Sequence, residues 1–329
     1  MVLYRYIGKE ITIMAKDVTE ILKRCPENPI INPDDYPGIA RIYNPAVAKM
    51  GDETILLASV IDHACTKGYG ADCGQARVAR SKDGINFELD DKDFIYAPDV
   101  YRKELYHHFV NSRMTKIDDT YYIATPVKCH GYLSTLIMLG KTKDFEKYEP
   151  INLISGPIVY GSALFPEKIN GKYCRLDRMG EGKMLGEIWL SYSDDLEYWG
   201  EHKPIMVPGY RYWCAKTISP TTPIKTSKGW LVLINGYTTP AGGGQYSVGA
   251  ILLDLNNPRK VIGKTNSPLL FPKEWYELHG FSDNTVYSCG AVADEAKDML
   301  TVYYGGAEKY ICMAQGKLSD VIDACINEL

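Results

Sequence analysis

Ser162-Ala-Leu-Phe-Pro-Glu-Lys-Ile-Asn-Gly-Lys-Tyr-Cys-Arg-Leu-Asp-Arg178 reads as a β-hairpin pivoting on Asn170-Gly171. An Asn-Gly pair suits a two-residue primed turn, in which both central residues adopt positive φ, and the flanks alternate apolar and polar residues. The same phrase recurs at Ala48-Lys49 through Leu57, Thr115-Lys116 through Ala124, Ile224-Lys225 through Leu233 and, more loosely, Val292-Ala293 through Tyr304. Each hairpin is followed by an apolar strand that runs into a polar tight turn and an aromatic residue, as in Ala76–Phe87, Ile137–Tyr148 and Ile188–Trp199, with weaker copies at Val248–Leu255 and Ile311–Leu318. The hairpin landmarks fall at positions 49, 116, 168, 225 and 293, so the successive intervals are 67, 52, 57 and 68 residues. Five units of up to four antiparallel strands at such a period predict an all-β fold, a five-bladed β-propeller. A two-sheet sandwich does not repeat one two-hairpin phrase five times.

The remainder of the chain fits around those units. Asp17 to Lys23 reads as a short helix capped by Asp17, with Val18, Ile21 and Leu22 on one face. Pro26 to Gly38 carries four prolines and reads as an ordered loop or edge strand, since proline donates nothing to a ladder. Ser319 to Leu329 reads as a capped helix. The expectation is one propeller domain over residues 1–329, with an N-terminal arm at 1–27 and a C-terminal helix at 319–329.

Composition excludes several classes of function. A net charge of −4 offers no basic field for nucleic acid, and no apolar run approaches a membrane span. The first residues, Met1-Val-Leu-Tyr-Arg, lack the order of a signal peptide. Nine cysteines, an odd number without framework spacing, read as reduced thiols and a cytoplasmic location. Cys65 and Cys73 with His63 and His130 are the only hint of a metal, and no C-x-x-C pair supports it, so no metal is expected.

If the five hairpins are the innermost strands, their open ends gather around the propeller axis on one face. Those ends are Asn44 with Ser59, Asn111 with Thr125, Ser162 with Arg178, Ser219 with Asn235, and Asn284 with Glu308. All are polar, and Arg178 and Glu308 interrupt apolar runs where an unpaired buried charge is costly. Asp62, Arg113, Asp177 and Lys216 belong to the same rim, with His107 and His108 in an approach loop. Cations beside carboxylates suit an anion bound next to a polyhydroxylated ligand.

Tyr43-Asn-Pro-Ala46, Val78 to Phe87, Leu164 to Tyr173, Ile188 to Gly200, Val248 to Gly263 and Asn284 to Ala307 closely resemble glycoside hydrolase family 130. The resemblance extends from about Pro26 to Leu329. It implies a five-bladed propeller that cleaves β-mannosides by inverting phosphorolysis, with an oligosaccharide substrate, inorganic phosphate as co-substrate and no other cofactor. Phosphate attacks as an ionised nucleophile, so one carboxylic acid suffices where inverting hydrolysis needs two. The resemblance places Arg113, Arg178 and Lys216 at phosphate positions and Asn44, Asn284 and Glu308 at the sugar; from their places on the rim, Asn235 joins the phosphate group, and Ser59, Asp62 and Ser162 the sugar.

This chain departs from the family at the rim. Val110-Asn-Ser-Arg113 stands where Glu-Asp-Pro-Arg is usual, so the expected acid is Asn111, and an amide cannot donate a catalytic proton. Leu176-Asp-Arg-Met179 replaces Leu-His-Arg-Pro, Ile234-Asn-Gly236 replaces Tyr-His-Gly, Ser59 replaces an arginine, and Glu308 an aspartate. Asp177, Glu308 and Asp62 are the candidate substitute acids. Asp177 comes first because it precedes Arg178, although adjacent strand residues face opposite ways. Besides phosphorolysis, the residues leave open a hydrolase using two carboxylates, and a sugar-binding propeller that has lost its acid. A homo-oligomer is also compatible with the proline-rich arm.

Overall fold

The computed structural model describes residues 5–6, 9–10, 18–64, 74–101, 108–128, 135–180, 186–209, 213–240 and 243–327. Five antiparallel sheets form the blades of a propeller. Blade 1 comprises strands Ile39–Met50, Glu53–Asp62, Gln75–Ser81 and Glu88–Asp93, in sheet order from the axis outward. Blade 2 runs from Arg113–Ile117 to Glu149–Leu153, and blade 3 from Val159–Leu164 to Gly200–Met206. In blade 4 the inner edge is broken into Thr217–Pro220 and Ile224–Thr226, both paired with Gly229–Thr238. Blade 5 comprises Val286–Asp294, Met299–Gly306 and Tyr310–Lys317, outward from the axis. Asn170 and Gly171 have φ of 52° and 83°, the primed turn expected of the hairpin that opens blade 3.

Alternation along the strands explains why they read as nearly continuous apolar runs. In Glu53–Asp62, Ile55 and Leu57 pack against Met114, Tyr121 and Ile123 of blade 2, whereas Leu56, Ala58 and Val60 pack against Tyr303, Ile311 and Met313 of blade 5. Successive side chains point to opposite faces, and a blade is covered on both, so each apolar residue fills one seam or the other. The seams between blades 2 and 3, 3 and 4, and 4 and 5 have clusters of their own. Each buried aliphatic side chain contributes roughly 1.5–3 kcal/mol.

The N-terminal arm differs from expectation. Residues 18–20 form a single 3₁₀ turn, and Lys23–Arg24 pairs with Tyr310–Lys317 as the outer strand of blade 5. Chain closure outweighs local helix propensity here, because the last blade otherwise exposes an unpaired edge. Arg24 fastens the closure by donating to both carboxylate oxygens of buried Glu277 at 2.7 and 2.9 Å. The C-terminal helix, Leu318–Asn327, buries Val321, Ile322, Ala324 and Cys325, and Asp298 accepts from the Ser319 backbone and hydroxyl at its start. Cys65, Cys73, His107 and His130 lie outside the described residues. Among those described, no helix is long and apolar enough to cross a membrane.

The polar turns after the third strands are built alike. Asp83 accepts from the backbone of Ile85 and Asn86, Asp144 from Glu146 and Lys147, and Asp195 from Glu197 and Tyr198. These bonds, with the Asn86 side-chain amide leading at Asp83, hold the three carboxyls below their ordinary range. A carboxylate depressed in the folded state contributes stability above its unfolded pKa, about 3.9, and loses it as pH falls through the folded value. The melting temperature is therefore expected to fall on acidification below that point. A triple Asp→Asn variant at 83, 144 and 195 should melt lower at neutral pH and show a flatter acid slope. Equal slopes in the two proteins would contradict the assignment.

Candidate active site

Three asparagines on the innermost chain segments are in the left-handed region, Asn44 at the register shift inside Ile39–Met50 and Asn111 and Asn284 just before their strands, with φ of 45°, 57° and 55°. Asparagine tolerates this conformation better than other non-glycine residues, which gives these positions a backbone reason as well as a chemical one. Ala307 and Glu308 follow the second strand of blade 5 with φ of 46° and 50°. Two consecutive left-handed residues turn the chain sharply and help set Glu308 at the mouth of the axis.

Asn111, Arg178 and Glu308 line one cleft of about 210 Å³, with His108, Lys128 and Tyr246. Asn44 and Ser59 support it from behind. The Asn44 amide donates to Asn111 Oδ1 at 2.9 Å, and Asn111 N donates to Ser59 Oγ at 2.9 Å. Because Asn111 Oδ1 accepts from Asn44, its NH₂ group is the part of the amide left for the cleft. Arg178 hydrogen-bonds the Tyr246 hydroxyl, and burial raises that hydroxyl's pKa while Arg178 draws it partly back. The Arg178 Nε–H is buried and meets no acceptor. An uncommitted guanidinium N–H inside a cleft is suited to an anion.

The other rim residues are placed elsewhere. Arg113 is 1% exposed. It donates to Asn111 O at 2.6 Å, Ser219 Oγ and Tyr287 Oη at 3.0 Å and Pro220 O at 3.3 Å. Its N–H groups tie blades 2, 4 and 5 together at the axis, so expectation and structure differ: Arg113 braces the cleft floor instead of lining it. Asn235 is similarly engaged, donating to Ser288 O and accepting from Ser288 N, both at 2.7 Å. Its short side chain cross-links the second strand of blade 4 to the innermost strand of blade 5. Lys216 is part-buried outside the cleft lining, and Asn284 O accepts from Tyr246 N at 3.1 Å. Ser162 is fully buried in blade 3.

Asp177, the first choice as substitute acid, is not brought to the cleft. Strand alternation turns it to the face opposite Arg178, where it accepts from Arg175 Nε at 3.0 Å and Ser191 Oγ at 3.1 Å. It borders a separate cavity of about 170 Å³ with Trp199 and His202. Asp62 pairs with Arg77 at 3.6 Å in another surface depression. Glu308 is thus the carboxylate of the cleft among the described residues. Reading strand ends at a single position missed Lys128, which lies three residues past Thr125 on the same strand, and Tyr246, whose distance in sequence from the other wall residues left no signal.

Over residues 12–327 the chain matches the sequence family described as beta-1,4-mannooligosaccharide phosphorylase. The chain belongs to glycoside hydrolase family 130. Among family-130 relatives, it is 38% identical to the beta-1,2-mannobiose phosphorylase of Listeria innocua over 251 residues, covering 75% of this chain and 67% of that one. It is 33% identical over 305 residues to a 1,2-beta-oligomannan phosphorylase of Thermoanaerobacter sp., covering 91% and 98%. The solved complex of the Listeria innocua enzyme with beta-1,2-mannobiose superposes with a TM-score of 0.83 at 29% identity, covering 93% of this chain and 99% of that one.

One exposed aromatic side chain stands beside this family-130 cleft. Phe281 N donates to Ala307 O at 2.9 Å, next to Glu308, and the Arg41 guanidinium lies 3.6 Å from the Phe281 ring centroid. The ring is 67% exposed yet held in place, which suits stacking on a sugar face. Phe281→Ala is expected to raise KM for the oligosaccharide by roughly 3–10-fold with kcat nearly unchanged. Initial rates across substrate concentration check this, and a fall in kcat with constant KM would contradict it.

Proposed function

We propose that the protein phosphorolyses β-mannosides, with β-1,2-linked mannooligosaccharides as the substrate class. The observation that carries this reading is Arg178, which lines the same cleft as Glu308 and keeps a buried Nε–H without an acceptor. The substrate class rests on the relatives' activities. Arg178 and Lys128 hold the phosphate dianion, and Asn44 and Ser59 fix Asn111 against the sugar. Attack by a phosphate oxygen forms the new bond at the anomeric carbon as the glycosidic C–O bond breaks. The bond pair stays on the departing oxygen, which takes the proton of the Glu308 carboxyl. The P–OH proton of the attacking phosphate restores Glu308, so the reaction needs no further cofactor, and reversal builds a mannoside from the sugar phosphate. Buried cysteines at 25, 174, 214, 289, 312 and 325, which form no disulfide, suit a reducing cytoplasm.

The test is the phosphate dependence of turnover on β-1,2-mannobiose. Consumption is expected only with phosphate, and Arg178→Ala should raise KM for phosphate by at least about tenfold, the loss of a charge-assisted hydrogen bond. Equal consumption without phosphate would identify a hydrolase. Binding without turnover would identify the sugar-binding propeller that Asn111 alone would suggest.

A further inference from the structure

Arg41, on the innermost strand of blade 1, is a cation only 9% exposed. Among the described residues it makes no hydrogen bond or ion pair, and its Nε–H is buried without an acceptor. A buried charge with no partner is costly, so the fold gains from a ligand that supplies one. We infer that Arg41 binds the sugar unit on the leaving side of the scissile bond, donating its N–H groups to hydroxyl oxygens there and selecting for a sugar at that position. The inference rests on the phosphorolysis proposed above.

The backbone brings Arg41 beside the turn that carries Glu308. Ile42 N donates to Lys309 O at 3.1 Å, and Phe281 N donates to Ala307 O at 2.9 Å. The Arg41 guanidinium carbon lies 3.6 Å from the Phe281 ring centroid and 5.2 Å from that of Tyr43. Burial raises the pKa of the Tyr43 hydroxyl, Glu308 raises it further and Arg41 draws it partly back, so both charges act on one tyrosine.

Cation–π contact offsets part of the charge of a guanidinium but satisfies none of its five N–H groups, which lie in its own plane. A pyranose supplies what is missing. Its hydroxyl oxygens ring the edge of the sugar, while its C–H face covers an exposed aromatic such as Phe281. Neutral hydroxyls suit the place better than an anion, because a second negative group would be repelled by Glu308. Glu308 hands its proton to the departing oxygen, so the sugar that carries this oxygen away is the one that reaches Phe281 and Arg41.

The test compares wild type, Arg41→Met and Arg41→Lys on β-1,2-mannobiose and on phenyl β-mannoside, whose leaving ring can cover Phe281 but offers no hydroxyl, all with phosphate. Arg41→Met keeps an apolar stem beside Phe281 and removes every donor. It should raise KM for mannobiose by about 10–100-fold with kcat nearly unchanged, the loss of hydrogen bonds from a charged group. KM for phenyl β-mannoside should rise by less than about threefold, and KM for phosphate should stay as in wild type. Arg41→Lys keeps the charge but loses the planar fork, so it should show the same split between the two substrates at smaller size. It preserves the comparison should the methionine variant not fold. Equal rises on both mannosides would make Arg41 a prop for Phe281, and a rise in KM for phosphate alone would place it in the phosphate grip; either result, or no change on mannobiose, would overturn the inference. A wild type that makes no sugar phosphate from either substrate would instead remove the phosphorolysis on which it rests.

Discussion

Glu308→Gln is expected to lower kcat for phosphorolysis of β-1,2-mannobiose by about 10²–10⁴-fold, the usual contribution of a positioned proton donor. The substitution keeps size and hydrogen-bonding capacity, so substrate should still bind. Glu308 is the cleft's carboxylate among the described residues, and the left-handed pair Ala307-Glu308 fixes its backbone. Asp177→Asn should act differently, affecting stability through the buried bond to Arg175 while leaving phosphate and sugar affinities in place. Steady-state kinetics of the two variants separate the roles. Full turnover in Glu308→Gln would show that the proton comes from elsewhere.

The second large effect concerns stability. Arg113→Ala is expected to destabilise the fold by on the order of 3–5 kcal/mol, because it strips hydrogen bonds from several buried acceptors and leaves a hole at the axis. Ser219, Tyr287 and the carbonyls of Asn111 and Pro220 would each lose the bond from Arg113 at once, leaving the Ser219 and Tyr287 hydroxyls only the bond between them. Thermal or denaturant unfolding measures the loss. If Arg113 held phosphate instead, the variant would unfold like wild type and show only a raised KM for phosphate.

The propeller was legible because both its hairpin phrase and its follower are local signals. Asn170-Gly171 needs only its own φ angles, and the turns at Asp83, Asp144 and Asp195 need only the next three residues. The seams were legible in kind but not in pairing, since Ile55 and Leu56 are equally apolar and only the pleat assigns them to different neighbours. The arm was misread where a long-range pairing decided the outcome: Lys23–Arg24 joins a strand almost three hundred residues away.

At the site, sequence placed polar residues at the correct ends of strands but could not tell which side of each strand faces the cleft. Arg178 and Asp177 are adjacent in the chain and open into separate cavities. Nor could it show that Arg113 and Asn235 are already engaged, since their partners come from other blades. Ser59, a sugar-binding candidate by its strand end, accepts from the Asn111 backbone, a contact that needs two blades in register.

In the proposed reaction phosphate is the nucleophile at this cleft. ³¹P NMR of the wild-type protein with β-1,2-mannobiose and inorganic phosphate tests that directly. The predicted result is a growing signal of α-mannose 1-phosphate, with the anomeric configuration inverted and mannose released in equal amount. Mannose appearing with the phosphate signal unchanged, or a β-configured sugar phosphate, would contradict it.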